Sequence, residues 1–376
     1  MRDITEIRKD IDAIDQSIVD LYERRMDLAD EVAAFKMEKK KPVFDRQREQ
    51  SKLNSLTALS ADPLVKQGIR ELFTSIMSGS RKKQYGILSR NGHRKTFGFK
   101  CKRGFDFTGC EIAYQGVEGA YSQAALVKFF GEHHKTHPVK TWREAFEDLK
   151  NKRADYAVLP IENSTAGMIS ENFDLMTEYD CAVIGEQVIK IDHSLLALPG
   201  AKLSDIKVVY SHPQALLQCS DYLDSHPSFE ARSLLNTAMS AKKVHDDGRL
   251  DQAAIAGKIN ADIYGLQVLD EKIQDDKTNA TRFIIVSSEK KFFINAKTLT
   301  LSFELDDNSG SLYHVLSNFT YNGLNMSRIE SRPVKDRPWS YRFFIDLAGN
   351  LNDEAVQNAL TGLSEEANSI QILGNY

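Results

Sequence analysis

Cysteine is scarce in this 376-residue chain: Cys101, Cys110, Cys181 and Cys219 are widely spaced and form no C-x-x-C pair. That spacing speaks against zinc ligation or a disulfide framework, so no metal is expected and the thiols are read as reduced. Long apolar runs are missing as well. The opening Met1-Arg2-Asp3-Ile4-Thr5-Glu6 lacks the apolar core of a signal peptide, and no later stretch reaches the length of a membrane span, so a cytoplasmic protein is expected. Charge of one sign is not in excess either. A formal net charge of -4 gives no general electrostatic reason to bind nucleic acid or an anionic membrane, and any anion site must be built locally. There is no internal repeat and no low-complexity segment.

What is present is enough for two or three domains, with 41% hydrophobic and 27% charged residues, as in a globular protein. Ile4, Ile7, Ile11, Ile14, Ile18, Leu21, Leu28, Val32 and Phe35 alternate by three and four, which marks one seam of a long helix ending before Pro42. Two further helices are predicted over 45–59 and 63–84. They look too short to cover the seam, so dimerisation through the long helix is expected. From about 86 to 108, Gly86, Gly92, Gly98 and Gly104 punctuate a basic stretch that reads as a linker. From Cys110 onward, strand-like runs such as Tyr156 to Ile161, Cys181 to Val188 and Phe283 to Ser287 alternate with helical ones, including Gln214 to Leu223. That alternation predicts an α/β domain over 109–288 with largely parallel sheets, long enough for two lobes and a cleft. The tail, 297–376, reads as βαββαβ, a ferredoxin-like order. The chain is thus expected to be multidomain, α followed by α/β.

Position 25 falls in the apolar seam yet holds Arg25. A buried arginine is costly unless a partner or ligand takes its charge. Lys36 lies eleven residues further, about three turns, so the two cations project within roughly 20° of each other. Arg48, beside Asp45 and Glu49, could add a third cation, and Ser80 and Gln84 offer neutral hydrogen bonds. Such a pocket, in a segment without nucleophile, metal or phosphate loop, suits a dicarboxylate that rearranges intramolecularly. The runs Ile7-Arg8-Lys9-Asp10-Ile11-Asp12, Glu23-Arg24-Arg25, Lys36 and Pro42-Val43-Phe44-Asp45-Arg46-Gln47-Arg48-Glu49 resemble the all-helical chorismate mutase family over residues 1–85. The resemblance implies that Arg25, Lys36 and Arg48 bind the two carboxylates and the ether oxygen of chorismate. It also implies that Arg8 reaches in from a partner subunit, and that Asp45, Glu49, Ser80 and Gln84 complete the pocket.

Four loops stand out in the α/β region: Gly116-Val117-Glu118-Gly119-Ala120-Tyr121-Ser122, whose small residues would let backbone N–H groups approach an anion, Pro160-Ile161-Glu162-Asn163-Ser164, Ser211-His212-Pro213-Gln214-Ala215, and Asn279-Ala280-Thr281-Arg282-Phe283. Each alone is equally a turn or a cap. In their order and wording they are similar to prephenate dehydratase, with Ala120-Tyr121 where Thr-Phe is usual. The resemblance implies that Thr281 donates a proton or hydrogen bond to the departing ring hydroxyl. Glu162, Asn163, Ser164, Ser211, Gln214, Arg282 and Phe283 would then bind substrate.

In the tail, Asp307-Asn308-Ser309-Gly310-Ser311-Leu312-Tyr313 and Ile329-Glu330-Ser331-Arg332-Pro333 resemble the ligand-binding segments of ACT domains, regulatory modules that usually pair with a second copy. The implied effector is phenylalanine, held by Asn308, Gly310, Ser311, Leu312, Glu330, Ser331, Arg332 and Pro333, with feedback on the enzyme. The expectation is therefore a cofactor-free, bifunctional isomerase and lyase of phenylalanine biosynthesis, a homodimer or homotetramer. The competing reading is an amino-acid-responsive binding protein without catalysis.

Overall fold

The computed structural model describes residues 2–92, 95, 97–334, 337 and 340–376, and they divide into two compact units. One comprises residues 1–99 with 294–372. The other comprises 100–293 with 373–376.

The first unit opens with α1 (Ile4–Glu38), α2 (Arg46–Thr57) and α3 (Pro63–Arg90). Local chemistry sets their starts. The Asp45 side chain accepts from Arg48 N–H, and Asp62 accepts from Leu64 and Val65 ahead of a proline at the first helical position. α3 runs through Arg90, so the first part of the expected linker at 86–108 is helix, and Lys100–Lys102 is a short strand. Gly86 did not break the helix because it serves packing: a Cβ there would stand 3.4 Å from Asn358 on helix Glu354–Glu366. Gly362 faces back the same way, and a Cβ on it would come 3.1 Å from the Tyr85 ring.

α1 packs on α3 through Ala29 and Ala33, which are buried, and not through the apolar seam. Ile14, Leu21 and Leu28 stay 60%, 62% and 59% exposed. After the helices, the same unit carries strand Thr298–Leu305, helix Ser311–Tyr321, strands Met326–Pro333 and Tyr341–Ala348, helix Glu354–Glu366 and the start of strand Ser369–Asn375. Tyr341–Ala348 lies between the first two strands, antiparallel to both.

The second unit is α/β with two sheets, and both are mixed where parallel pairing was expected. In the first, the strand order is Lys135–Val139, Glu111–Gln115, Tyr156–Asn163, Ala280–Ser287, Ala182–Lys190. The first three pair in parallel, but Ala280–Ser287 is antiparallel to both its neighbours. In the second, Val208–Ser211 runs parallel to Glu230–Ser233 and Gln252–Ala256, while Ser194–Ala197 is antiparallel to Gln252–Ala256 and Gln267–Glu271. The reversals arise because the chain crosses between lobes twice, at 191–193 and 272–279, so a strand enters each sheet on return. The crossings are pinned together: Gln274 takes His193 N–H at 2.9 Å and donates to Asp192 Oδ1 at 2.8 Å. The helix expected over 214–223 is two short ones, Pro213–Leu217 and Ser220–Asp224.

One surface cluster ties stability to pH. His137 on the outer strand lies 2.9 Å from both Glu111 and Asp148. Burial opposes its charge, but hydrogen bonds to the two carboxylates outweigh this, and its pKa is raised. A raised folded-state pKa gives stability that is complete below the ordinary histidine value near 6.5 and disappears as pH rises through the folded value. His137→Gln should therefore lower the melting temperature by roughly 1–3 °C at pH 5.5 and hardly at all at pH 9. Equal losses at both pH values would refute this origin.

Candidate active sites

In the second unit, strand register builds the site. Thr281 stands opposite Asn163, and Arg282 opposite Glu162. Because side chains alternate across a sheet, these pairs lie on opposite faces. On one face, Asn163 Nδ2 donates to Thr281 Oγ1 at 2.9 Å and to Asn279 Oδ1 at 2.9 Å. Asn163 Oδ1 accepts from Thr165 N–H at 3.1 Å, Thr165 O–H at 2.7 Å and Ala166 N–H at 2.9 Å. The amide cannot turn over without losing those donors, so Thr281 always meets an N–H and keeps its own proton free to donate. Thr281 and Asn163 are both buried, as is Asn279, whose Nδ2 meets no partner among the described residues.

The opposite lobe reaches this cluster through a residue that sequence reasoning missed. Gln218 Nε2 donates to Thr165 Oγ1 at 3.0 Å and lies 3.5 Å from Asn163 Oδ1, and its Oε1 accepts from His193 Nε2 at 3.1 Å. Burial lowers the His193 pKa and favours the neutral ring. The available signal was helical spacing: Gln218 is one turn beyond Gln214, on the same face. Gln214 itself is half-buried, and its backbone N–H takes the His212 cap.

Other expected site residues have structural partners instead. Arg282 pairs with Glu162 at 2.8 Å and Glu186 at 3.3 Å on the far face of the sheet. Phe283 belongs to the core, packed in a cluster with Ile112, Val158 and Ile285. Ser164 binds Ala280 through both N–H and Oγ, and fully buried Ser211 donates to Ile255 O at 2.6 Å. In the glycine loop, Gly119 N–H is taken by Gln123 Oε1 at 2.7 Å, so it is not open to an anion. Gly119 is required there nonetheless: its φ is +85°, and any Cβ would collide with Asn260 of the other lobe.

In the first unit, Lys36 is half-buried and donates to Val43 O at 2.6 Å, with Glu365, Glu49, Asp45 and Arg48 in its electrostatic surroundings. Burial lowers its pKa despite those carboxylates. Arg25 is half-buried, its Nη1 3.5 Å from Ile76 O, and Asp45 caps α2. Gln84 is buried and donates to Ser80 O at 3.2 Å, while its Oε1 meets no partner among the described residues. Glu49 is held by Arg81. Arg8 and Arg48 are exposed, so a single chain does not enclose the expected dry crevice of cations; the seam beside them is open too.

In the tail, Gly310 caps helix Ser311–Tyr321 with φ +82°, and Asn308 O accepts from Ser311 N–H. Leu312 is half-buried beside Ser311. Glu330, Ser331, Arg332 and Pro333 lie on strand Met326–Pro333, separated from Thr298–Leu305 by the strand between them.

Comparison with known proteins decides what these sites belong to. Residues 7–85 match the family model for chorismate mutase type II, and 112–291 match that for prephenate dehydratase. A bifunctional chorismate mutase/prephenate dehydratase from Stutzerimonas stutzeri is 32% identical over 376 residues, 98% of this chain and 96% of that protein. The chain belongs to the bifunctional chorismate mutase/prephenate dehydratase family. Among solved structures, prephenate dehydratase from Arthrobacter aurescens in complex with L-Phe is similar to this family member with 33% identity and a TM-score of 0.66, covering 71% of this chain and 89% of that one. A chain described as a novel type of quorum-quenching acylase, GqqA, is 29% identical with a TM-score of 0.65, over 70% of this chain and 96% of that one. Membership in the bifunctional family accounts for the helical N-terminal region and for the two-lobed α/β unit.

Proposed function

We propose that this chain is a cytoplasmic, cofactor-free enzyme of phenylalanine biosynthesis. Its N-terminal helices (1–85) rearrange chorismate to prephenate, and its α/β region (109–288) converts prephenate to phenylpyruvate. The C-terminal segment (297–376) is an ACT domain that binds L-phenylalanine. The observation that carries the dehydratase assignment is the buried Asn163–Thr281 hydrogen bond at the junction of two lobes. Prephenate becomes aromatic by losing carbon dioxide from one carbon and hydroxide from another; electrons from the breaking C–C bond complete the ring. Thr281 is suited to donate to the departing oxygen, with Asn163 and Gln218 fixing it, and Asn279 Nδ2, which meets no partner among the described residues, offers a further donor to substrate.

For the mutase step no covalent intermediate is needed. Arg25, Lys36 and Arg48, with Arg8 from a second subunit, would hold the compact diaxial conformer, Lys36 countering charge on the ether oxygen. Asp45, Glu49, Ser80 and Gln84 would complete the pocket. A second copy covering the open α1 seam is the occupant that the apolar spacing supports, and it would shield Arg48 and bring Arg8 in. Pairing would likewise bring Asn308, Gly310, Ser311 and Leu312 of one ACT domain toward Glu330, Ser331, Arg332 and Pro333 of another.

The test is a coupled assay on the full chain. Chorismate should disappear and phenylpyruvate accumulate, and millimolar phenylalanine should suppress the second step while solution mass reports a dimer or larger. Phenylalanine binding with no turnover of either substrate would favour the non-catalytic sensor.

A further inference from the structure

Two acids end a helix at the position where acids are least favoured. Glu365 and Glu366 occupy or adjoin the last turn of helix Glu354–Glu366, whose free carbonyls carry partial negative charge. Both carboxylates are drawn instead toward the N-terminal helices of the same unit. Glu365 Oε2 accepts from Phe44 N–H at 2.6 Å and Tyr85 O–H at 3.1 Å, and its Oε1 accepts from Val43 N–H at 3.3 Å. Glu366 Oε1 accepts from Arg81 Nε at 3.2 Å and Nη2 at 3.0 Å, and its Oε2 accepts from Asn318 at 3.1 Å.

Each contact continues to a residue of the mutase pocket. The peptide joining Val43 and Phe44 gives its N–H to Glu365 and receives Lys36 Nζ on its carbonyl at 2.6 Å. Arg81 gives its remaining arm, Nη1, to Glu49, with the guanidinium 4.5 Å from the Phe44 ring centroid. The Arg81 and Glu366 side chains are 8% and 7% exposed, so this is a desolvated bridge that loses its balance when one charge is removed. Attraction across a surface would not need such burial. The arrangement fixes two side chains in place from behind.

We propose that Glu365 and Glu366 are positioning residues for chorismate rearrangement: Glu366 orients Glu49 through Arg81, and Glu365 orients Lys36 through the Val43–Phe44 peptide. The proposal rests on the reading of Lys36 and Glu49 as residues that touch chorismate. It makes the C-terminal segment part of the mutase. The Asn308 to Ser311 turn lines one cavity with Glu49, Arg81 and Glu366, so a ligand on that turn would sit beside the bridge.

The experiment is a double-mutant cycle in the full chain. Glu366→Gln should lower mutase kcat/KM about tenfold and leave prephenate turnover within about twofold, but should have no further effect once Glu49→Ala is present, because nothing remains to be oriented. Glu365→Gln should behave likewise in the Lys36→Ala background, and it carries the test if Glu366→Gln also loses dehydratase activity through misfolding. Losses that multiply independently across the cycles, or mutase rates unchanged in both glutamine variants, overturn the proposal. The underlying reading fails separately, if Lys36→Ala and Glu49→Ala themselves leave chorismate turnover intact.

Discussion

Thr281→Ala should lower prephenate turnover by about 10²–10⁴-fold, the span for loss of a positioned proton donor, and leave chorismate rearrangement unchanged. The expectation follows from the geometry around one oxygen. Hydroxide is a poor leaving group, so its departure needs a donor already in place as the C–O bond lengthens. Thr281 Oγ1 accepts the Asn163 N–H at 2.9 Å, which spares the threonine proton for substrate and stabilises negative charge on that oxygen as the proton shifts. Thr281→Ser keeps the hydroxyl and should retain most of the rate. Asn163→Asp exchanges the donor for an acceptor and should approach the alanine variant. Measuring phenylpyruvate formation from prephenate in all three variants checks this ordering, and near-normal turnover by Thr281→Ala would refute the assignment.

The elements whose patterns repeat locally were legible in the sequence. The helical seam placed α1, proline and aspartate placed the starts of α2 and α3, and the βαββαβ order of the tail follows from turns and periodicity. Strand register was not legible, because it depends on partners far away in the chain. Glu162-Asn163 and Thr281-Arg282 look like two uniform site strings, yet the pleat sends Asn163 and Thr281 to the site, while on the far face Arg282 forms ion pairs with Glu162 and Glu186. Gln218 was hidden for a related reason: the expected helix offers two glutamines, Gln214 and Gln218, and only the lobe-to-lobe approach selects which one meets Thr165. Glu365 and Glu366 carry no local signal of their role. Nothing near them in sequence announces Arg81, 284 positions upstream of Glu365. The start of the basic stretch after Gln84, up to Arg90, is helix because glycine marks a linker only where nothing packs against it, and Gly86 faces Asn358.

Lys36→Ala should reduce chorismate rearrangement by about 10²–10³-fold, the scale for removing one preorganised donor to developing oxyanion charge, and leave the dehydratase untouched. Its pH signature separates Lys36 from the arginines. Burial lowers the Lys36 pKa against the pull of Glu365, Glu49 and Asp45, so the cation is lost at lower pH than for an ordinary lysine near 10.4. The cation is the active form; activity is therefore full below that folded-state pKa and falls as pH rises through it. The mutase should show an alkaline limb that begins below the ordinary lysine range. Substituting Arg25 or Arg48 should change the rate without moving the limb. Lys36→Arg keeps a charge that does not titrate in this range but cannot reproduce a compact ammonium on Val43 O, so it should be slow and show no alkaline limb. A limb that persists in Lys36→Arg at the same pH would assign the titration to another group.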